Sequence, residues 1–199
     1  HDLLASSASL DVTGWPACGV IIAGPDAVSD SAAYARAVAQ LAKSLGWPVL
    51  ADALSPARRK QDGVNSVVTA YDAILRNAEL GASLRPERIL CLGGWPTSKA
   101  LRSWIEQCDA EIVIVAPTAR NRDALHGRTR HLAAAIEALS IRGSIAGDPA
   151  YCAKWQDAES RARQCIDAAL TAESELFEPK AAWLLAQHLP EHTAVHVAN

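Results

Sequence analysis

The run Gly93-Gly94-Trp95-Pro96-Thr97-Ser98-Lys99 holds the residues best suited to meet a ligand. It follows an apolar run, so its glycines let the backbone turn tightly at a strand end. Ligands of open α/β sheets bind at the carboxyl ends of parallel strands. Thr97 is expected to cap the next helix, leaving first-turn amides to face an anion. Lys99 is out of place there, because a first-turn cation opposes the helix macrodipole at a cost of up to about 1 kcal/mol. A bound anion would remove that conflict. A solvated lysine at a capped helix start is the plainer reading of the same residues. The glycine spacing is not that of a phosphate P-loop.

A second group is cationic: Arg120, Arg122, His126, Arg128, Arg130 and His131, with Arg102 upstream. Such a loop suits a carboxylate-rich ligand, although solvated or subunit-facing arginines are commoner. Other chemistries find little support. The stretch AGPDAVSD after the first apolar run lacks the dinucleotide glycine fingerprint. There is no Gly-x-Ser-x-Gly elbow. Neither His-x-x-x-His nor Cys-x-x-Cys occurs, so an intrinsic metal site is not expected. Cys18, Cys91, Cys108, Cys152 and Cys165 are scattered and odd in number, and most read as small buried hydrophobes. Five free thiols in a reducing compartment are expected.

These residues are carried by alternating elements. Val20 to Ala23, Val49 to Ala51, Ile89 to Leu92 and Ile112 to Val115 are apolar runs without polar alternation, as in strands buried on both faces. Thr129 to Leu132 is a weaker fifth candidate. Between them lie helical patterns. Ser29 or Asp30 caps one that carries Tyr34, Val38, Leu41, Ala42 and Leu45 and ends at Gly46. Asn65 or Ser66 starts a second, with Val67, Val68, Tyr71, Ile74 and Leu75 inward. Thr97 starts a third, with Leu101, Trp104, Ile105 and Cys108 inward. The alternation predicts an α/β fold: a doubly wound, mostly parallel sheet with helices on both faces.

After the loop Gly143 to Pro149, a long amphipathic helix is expected from Tyr151 to about Ser174, with Trp155, Ala162, Cys165, Ile166 and Ala169 inward. A helix opened by Pro179 and a strand Thr193 to Val197 follow. Residues 1–18 read as a linker, 19–176 as the central α/β domain and 177–199 as the start of a further domain. The 199 residues are half apolar and carry a formal net charge of -3 without a basic stripe, which gives no footing for nucleic acid. No apolar run approaches the roughly 20 residues of a membrane span. The chain has no methionine and begins at His1, as an excised segment would.

Several stretches resemble the 2-succinyl-5-enolpyruvyl-6-hydroxy-3-cyclohexene-1-carboxylate synthases. They are Trp47 to Ser55, Tyr71 to Arg76, LCLGGWPTSKALRSWI (Leu90 to Ile105) and LFEPKAAWLLAQHLPEHTAVHVAN (Leu176 to Asn199). Order and spacing agree from about Gly19 onward. The resemblance implies the nucleotide-binding-like central domain of a three-domain thiamine diphosphate enzyme of menaquinone or phylloquinone biosynthesis. That family uses the cofactor with a divalent metal, Mg2+ or Mn2+, to decarboxylate 2-oxoglutarate and add the succinyl-semialdehyde unit to isochorismate. It implies that Lys99 binds substrate carboxylates and that Asn199 lies beside the cofactor. The cofactor-activating glutamate and the Gly-Asp-Gly metal signature belong to other domains, so this segment alone is expected to be inactive and to bind no cofactor. Its partners would be the rest of the polypeptide and further copies, as a homodimer or homotetramer, in the cytoplasm or plastid stroma. Two other readings stay open. One is a regulatory module binding an aromatic acid through Arg102, Arg120 and Arg122. The other is the central domain of another thiamine diphosphate decarboxylase.

Overall fold

The computed structural model describes residues 8–58, 67–118, 125, 128–190, 193 and 195. The apolar runs become strands because each is buried on both faces. The strands are β1 (Ala8–Asp11), β2 (Gly19–Ala23), β3 (Val49–Ala51), β4 (Val67–Val68), β5 (Arg88–Leu92), β6 (Glu111–Ala116), β7 (Thr129–Ala133) and β8 (Leu139–Arg142). The helices are α1 (Ser31–Leu45), α2 (Tyr71–Leu75), α3 (Ala78–Ser83), α4 (Lys99–Gln107), α5 (Pro149–Ala172) and α6 (Glu178–His188). The main sheet runs β4-β3-β2-β5-β6-β7, parallel throughout. β1 and β8 pair separately, also in parallel. The strand order reverses between β2 and β5, so their carboxyl ends form the topological switch point.

Side-chain alternation divides the core. Ile21, Ala23, Leu90, Leu92, Val113 and Val115 pack on one face with Tyr34, Val38, Leu41 and Leu45 of α1. Val20, Ile22, Ile89, Cys91, Ile112 and Ile114 point the other way and are equally buried, as are Leu101, Trp104 and Ile105 of α4. The fold is therefore the expected α/β sheet with helices on both sides. Asp30 caps α1, accepting from the amides of Ala32 and Ala33 at 2.9 and 2.8 Å. Gly46 ends it at φ +64°. At the amino end of the sheet Trp15 stacks on Trp47, with ring centroids 5.6 Å apart, and the Arg88 guanidinium lies 4.7 Å over Trp15.

Three expectations need correction. Val67 and Val68 form β4, pairing with Val49 and Leu50, rather than the start of a helix. β-branched residues fit a sheet edge better than a helix turn, and the helix starts at Tyr71. Its proposed caps, Asn65 and Ser66, lie outside the described residues. α4 is capped by Ser98, whose hydroxyl accepts from Leu101 N at 3.1 Å, and not by Thr97. In α5 the predicted inward face is realised at Trp155, but Cys165, Ile166 and Ala169 are exposed and Ala162 is half-buried. Cys165 is thus no buried hydrophobe.

The stretch expected to be a linker contains β1, whose Leu10 is buried with Val12 and Trp15. The chain divides into two compact units, His1–Ser160 and Arg161–Asn199. Within the second unit the Trp183 indole donates to Asp167 at 2.8 Å. The expected strand Thr193 to Val197 falls largely outside the described residues.

Candidate functional site

The sequence leads to the carboxyl ends of β2, β3 and β5. The loops after β2 and β5 are held to each other at the switch point. Gly24 N donates to Leu92 O at 2.9 Å and Gly94 N to Pro25 O at 2.8 Å. A Cβ on Gly24 would lie 1.8 Å from Gly94 O, and Gly93 turns at φ +75°. Backbone thus fills the crevice in which dinucleotide-binding sheets seat a pyrophosphate, in keeping with the missing glycine fingerprint. These residues do not fit a diphosphate group. Among the described residues no group of three or more His, Cys, Asp or Glu side chains could hold a metal ion.

Beside this closed crevice the turn before α4 is anchored by two carboxylates that sequence reasoning missed. Asp52, directly after β3, is fully buried. Its Oδ2 accepts from Thr97 N at 2.8 Å and Thr97 Oγ1 at 2.9 Å, and its Oδ1 accepts from Leu54 N at 3.0 Å. The Tyr71 hydroxyl donates to Oδ2 at 3.5 Å. Burial first, and then the Asp52 charge, push that phenol up to about 12, so it stays protonated at neutral pH. Asp72, in α2, accepts from the Ser98 hydroxyl and, at 2.9 Å, from Arg76 Nε. A third carboxylate, Glu159 of α5, accepts from the amides of Thr69 and Ala70 at 3.1 and 2.8 Å and steadies the start of α2. An Asp directly after a buried strand was the legible signal for Asp52. Nothing local marked Asp72 or Glu159.

Lys99 is exposed, the first residue of α4, and its side chain makes no ion pair with a described residue. The electrostatic conflict that suggested a bound anion is partly offset within the chain, since Asp52 and Asp72 bring negative charge to the helix's amino end. Arg102 reaches back to donate to Thr97 O at 2.7 Å. Arg120, Arg122 and Asn199 lie outside the described residues. A cavity of about 390 Å³ between α1 and β8, lined by Ala37, Gln40, Glu137 and Ile141 among others, is lined by none of these residues.

The hydrogen bond from Ser98 is the largest influence on the Asp72 carboxyl; burial opposes it, and the Arg76 hydrogen bond and charge add to it, so the carboxyl is held below its ordinary range. A lowered pKa means stabilisation that is present above the unfolded carboxylate pKa and lost as pH falls through the folded one. Melting curves of wild type and Asp72→Asn should therefore differ at pH 6 and converge towards pH 3.

All five cysteines are free. Burial pushes the Cys91 thiol up to about 12 and, as the leading cause, Cys108 up to about 11. Cys152 donates to Gly46 O at 3.0 Å, and Cys165 is exposed. Native alkylation followed by intact-mass measurement should label Cys165 first and Cys91 last, reaching five adducts only after denaturation without reductant.

Comparison with known proteins identifies the family. The family described as the middle domain of thiamine pyrophosphate enzymes matches residues 11–197. A protein of Synechococcus elongatus is 43% identical over 184 residues, covering 92% of this chain and 32% of that protein. One of Nostoc sp. is 40% identical over 185 residues, covering 91% and 32%. One of Acaryochloris marina is 38% identical over 211 residues, covering 100% and 35%. Each is named 2-succinyl-5-enolpyruvyl-6-hydroxy-3-cyclohexene-1-carboxylate synthase. The chain spans about a third of the length of the curated relatives it matches. With the family matched across nearly the whole chain on a parallel sheet of the expected kind, this chain belongs to the middle-domain family of thiamine pyrophosphate enzymes.

Proposed function

We propose that this chain is the central domain of a 2-succinyl-5-enolpyruvyl-6-hydroxy-3-cyclohexene-1-carboxylate synthase. The observation that carries the reading is the Gly93–Lys99 turn, fixed at the carboxyl end of β5 and presenting an exposed lysine, in a chain 38–43% identical to proteins of that name. The reaction is the loss of CO2 from 2-oxoglutarate and addition of the remaining succinyl-semialdehyde unit to isochorismate. Thiamine diphosphate with a divalent metal supplies the carbanion chemistry, from domains outside this segment. This chain's part is to offer Lys99 to a substrate carboxylate, where a charge-assisted hydrogen bond is worth roughly 1.5–3 kcal/mol. Asn199 would enter beside the cofactor. The partners are the flanking domains of the same polypeptide and a second copy of it, in the cytoplasm. Among the described residues no helix is long and apolar enough to cross a membrane.

Calorimetry separates the domain from the enzyme. Titrated with thiamine diphosphate and Mg2+, the 199-residue chain should give no micromolar binding isotherm, whereas the polypeptide with its flanking domains should. Micromolar binding to the chain alone would overturn this division of labour.

A further inference from the structure

Three groups of Thr97 are held by two partners. Its amide and hydroxyl both donate to Asp52 Oδ2, and its carbonyl accepts from Arg102 at 2.7 Å. Ser98, next in the chain, donates its hydroxyl to Asp72 and accepts from Leu101 N. Lys99 follows as the first helical residue. The two residues before Lys99 are therefore tied to Asp52, directly after β3, and to Asp72 of α2, and the end of β3 is tied to β2 through Asp52 N and Ala23 O at 2.9 Å.

Among the described residues Asp52 has no cation paired to it. A buried, unpaired carboxylate is costly unless every lone pair finds a donor. Here donors converge on it from three segments of the chain, the turn at Leu54, Tyr71 of α2 and the turn at Thr97. An apolar residue would close the end of β3 but leave the Leu54 and Thr97 amides without an acceptor. What the carboxylate adds is direction: it holds one orientation of Thr97, the residue two before Lys99.

We propose that Asp52 is a positioning residue for the substrate-binding lysine, acting through Thr97, with Asp72 supporting it through Ser98. The inference rests on the reading of Lys99 as a contact to a substrate carboxylate. Asparagine cannot replace Asp52 quietly. One of its amide positions must be NH2, and in either orientation that group faces a backbone N–H, of Thr97 or of Leu54. Thr97→Val keeps the shape and removes the hydroxyl, and Thr97→Ser restores the hydroxyl.

The test is a double-mutant cycle in the polypeptide with its flanking domains. Wild type, Asp52→Asn, Lys99→Ala and the double variant are compared by steady-state kinetics with each substrate varied, beside thiamine diphosphate affinity. Asp52→Asn should raise KM for the carboxylate substrate held by Lys99 on the order of tenfold, with cofactor affinity unchanged. It should cost nothing further once Lys99 is alanine. Losses that multiply in the double variant would overturn the proposal, because Asp52 would then act independently of Lys99. If Asp52→Asn fails to fold, Thr97→Val carries the same cycle, with Thr97→Ser expected to recover most of its loss. A wild-type polypeptide without synthase activity would instead defeat the proposed function, so the two failures are distinct.

Discussion

Gly24→Ala should remove a large part of the domain's stability, more than about 4 kcal/mol. The added methyl would lie 1.8 Å from Gly94 O and 2.8 Å from Gly94 C, both backbone atoms. No flexible side chain stands between them to yield. Relief requires parting the loops after β2 and β5, which breaks the Gly24–Leu92 and Gly94–Pro25 hydrogen bonds at the centre of the sheet. A clash of this kind belongs with the single substitutions that cost more than about 4 kcal/mol, against a total stability of about 5–15 kcal/mol. Gly14→Ala is the control: its backbone has φ +74°, but a Cβ there meets nothing within 4 Å. It should cost roughly 1 kcal/mol of left-handed backbone strain and remain folded. Urea unfolding followed by circular dichroism compares the two. A Gly24→Ala midpoint equal to that of Gly14→Ala would show that the switch-point crevice is not closed as described.

Lys99→Ala in the polypeptide with its flanking domains should lower kcat/KM by on the order of tenfold to a hundredfold, the value of one charge-assisted hydrogen bond to a carboxylate. The melting temperature should hold within about 2 °C. Removing the cation relieves its opposition to the α4 dipole, but it also removes a counter-charge to Asp52 and Asp72, and these effects oppose each other. Cofactor affinity should not change, because the residues around Lys99 do not fit a diphosphate. Unchanged kinetics would return Lys99 to the role of a solvated first-turn residue. A large loss of stability would make it structural.

The parts of the fold legible in the sequence are those where burial dictates composition. β2, β5 and β6 are continuous apolar runs because both faces are covered, and the period of Tyr34, Val38, Leu41 and Leu45 reports the sheet beneath α1. Short elements held by distant partners were not legible. β4 is two residues long, and β1 pairs with β8 across about 130 positions, so neither leaves a local pattern. α5 shows the opposite failure: its apolar spacing continues through Ile166, yet within this chain the burial stops at Glu159.

At the site, a glycine turn bearing Lys99 could be found by residue type, because strand-end glycines and a first-turn cation are unusual together. Its anchoring could not. Asp52 and Asp72 lie 45 and 26 residues before their partners Thr97 and Ser98. Thr97 and Ser98 are equally plausible caps on paper. Only the position of Asp52 assigns one hydroxyl to the carboxylate and leaves the other for the helix.

Product formation separates a synthase domain from the alternatives. The polypeptide containing this chain and its flanking domains is incubated with thiamine diphosphate, Mg2+, 2-oxoglutarate and isochorismate, and the condensed product and CO2 are followed by mass spectrometry. The 199-residue chain runs in parallel. Equimolar product and CO2 from the longer polypeptide, and none from the 199-residue chain, is the result expected of a central domain of this synthase. Turnover by the chain alone, or a folded, cofactor-loaded longer polypeptide that forms no product, would contradict it.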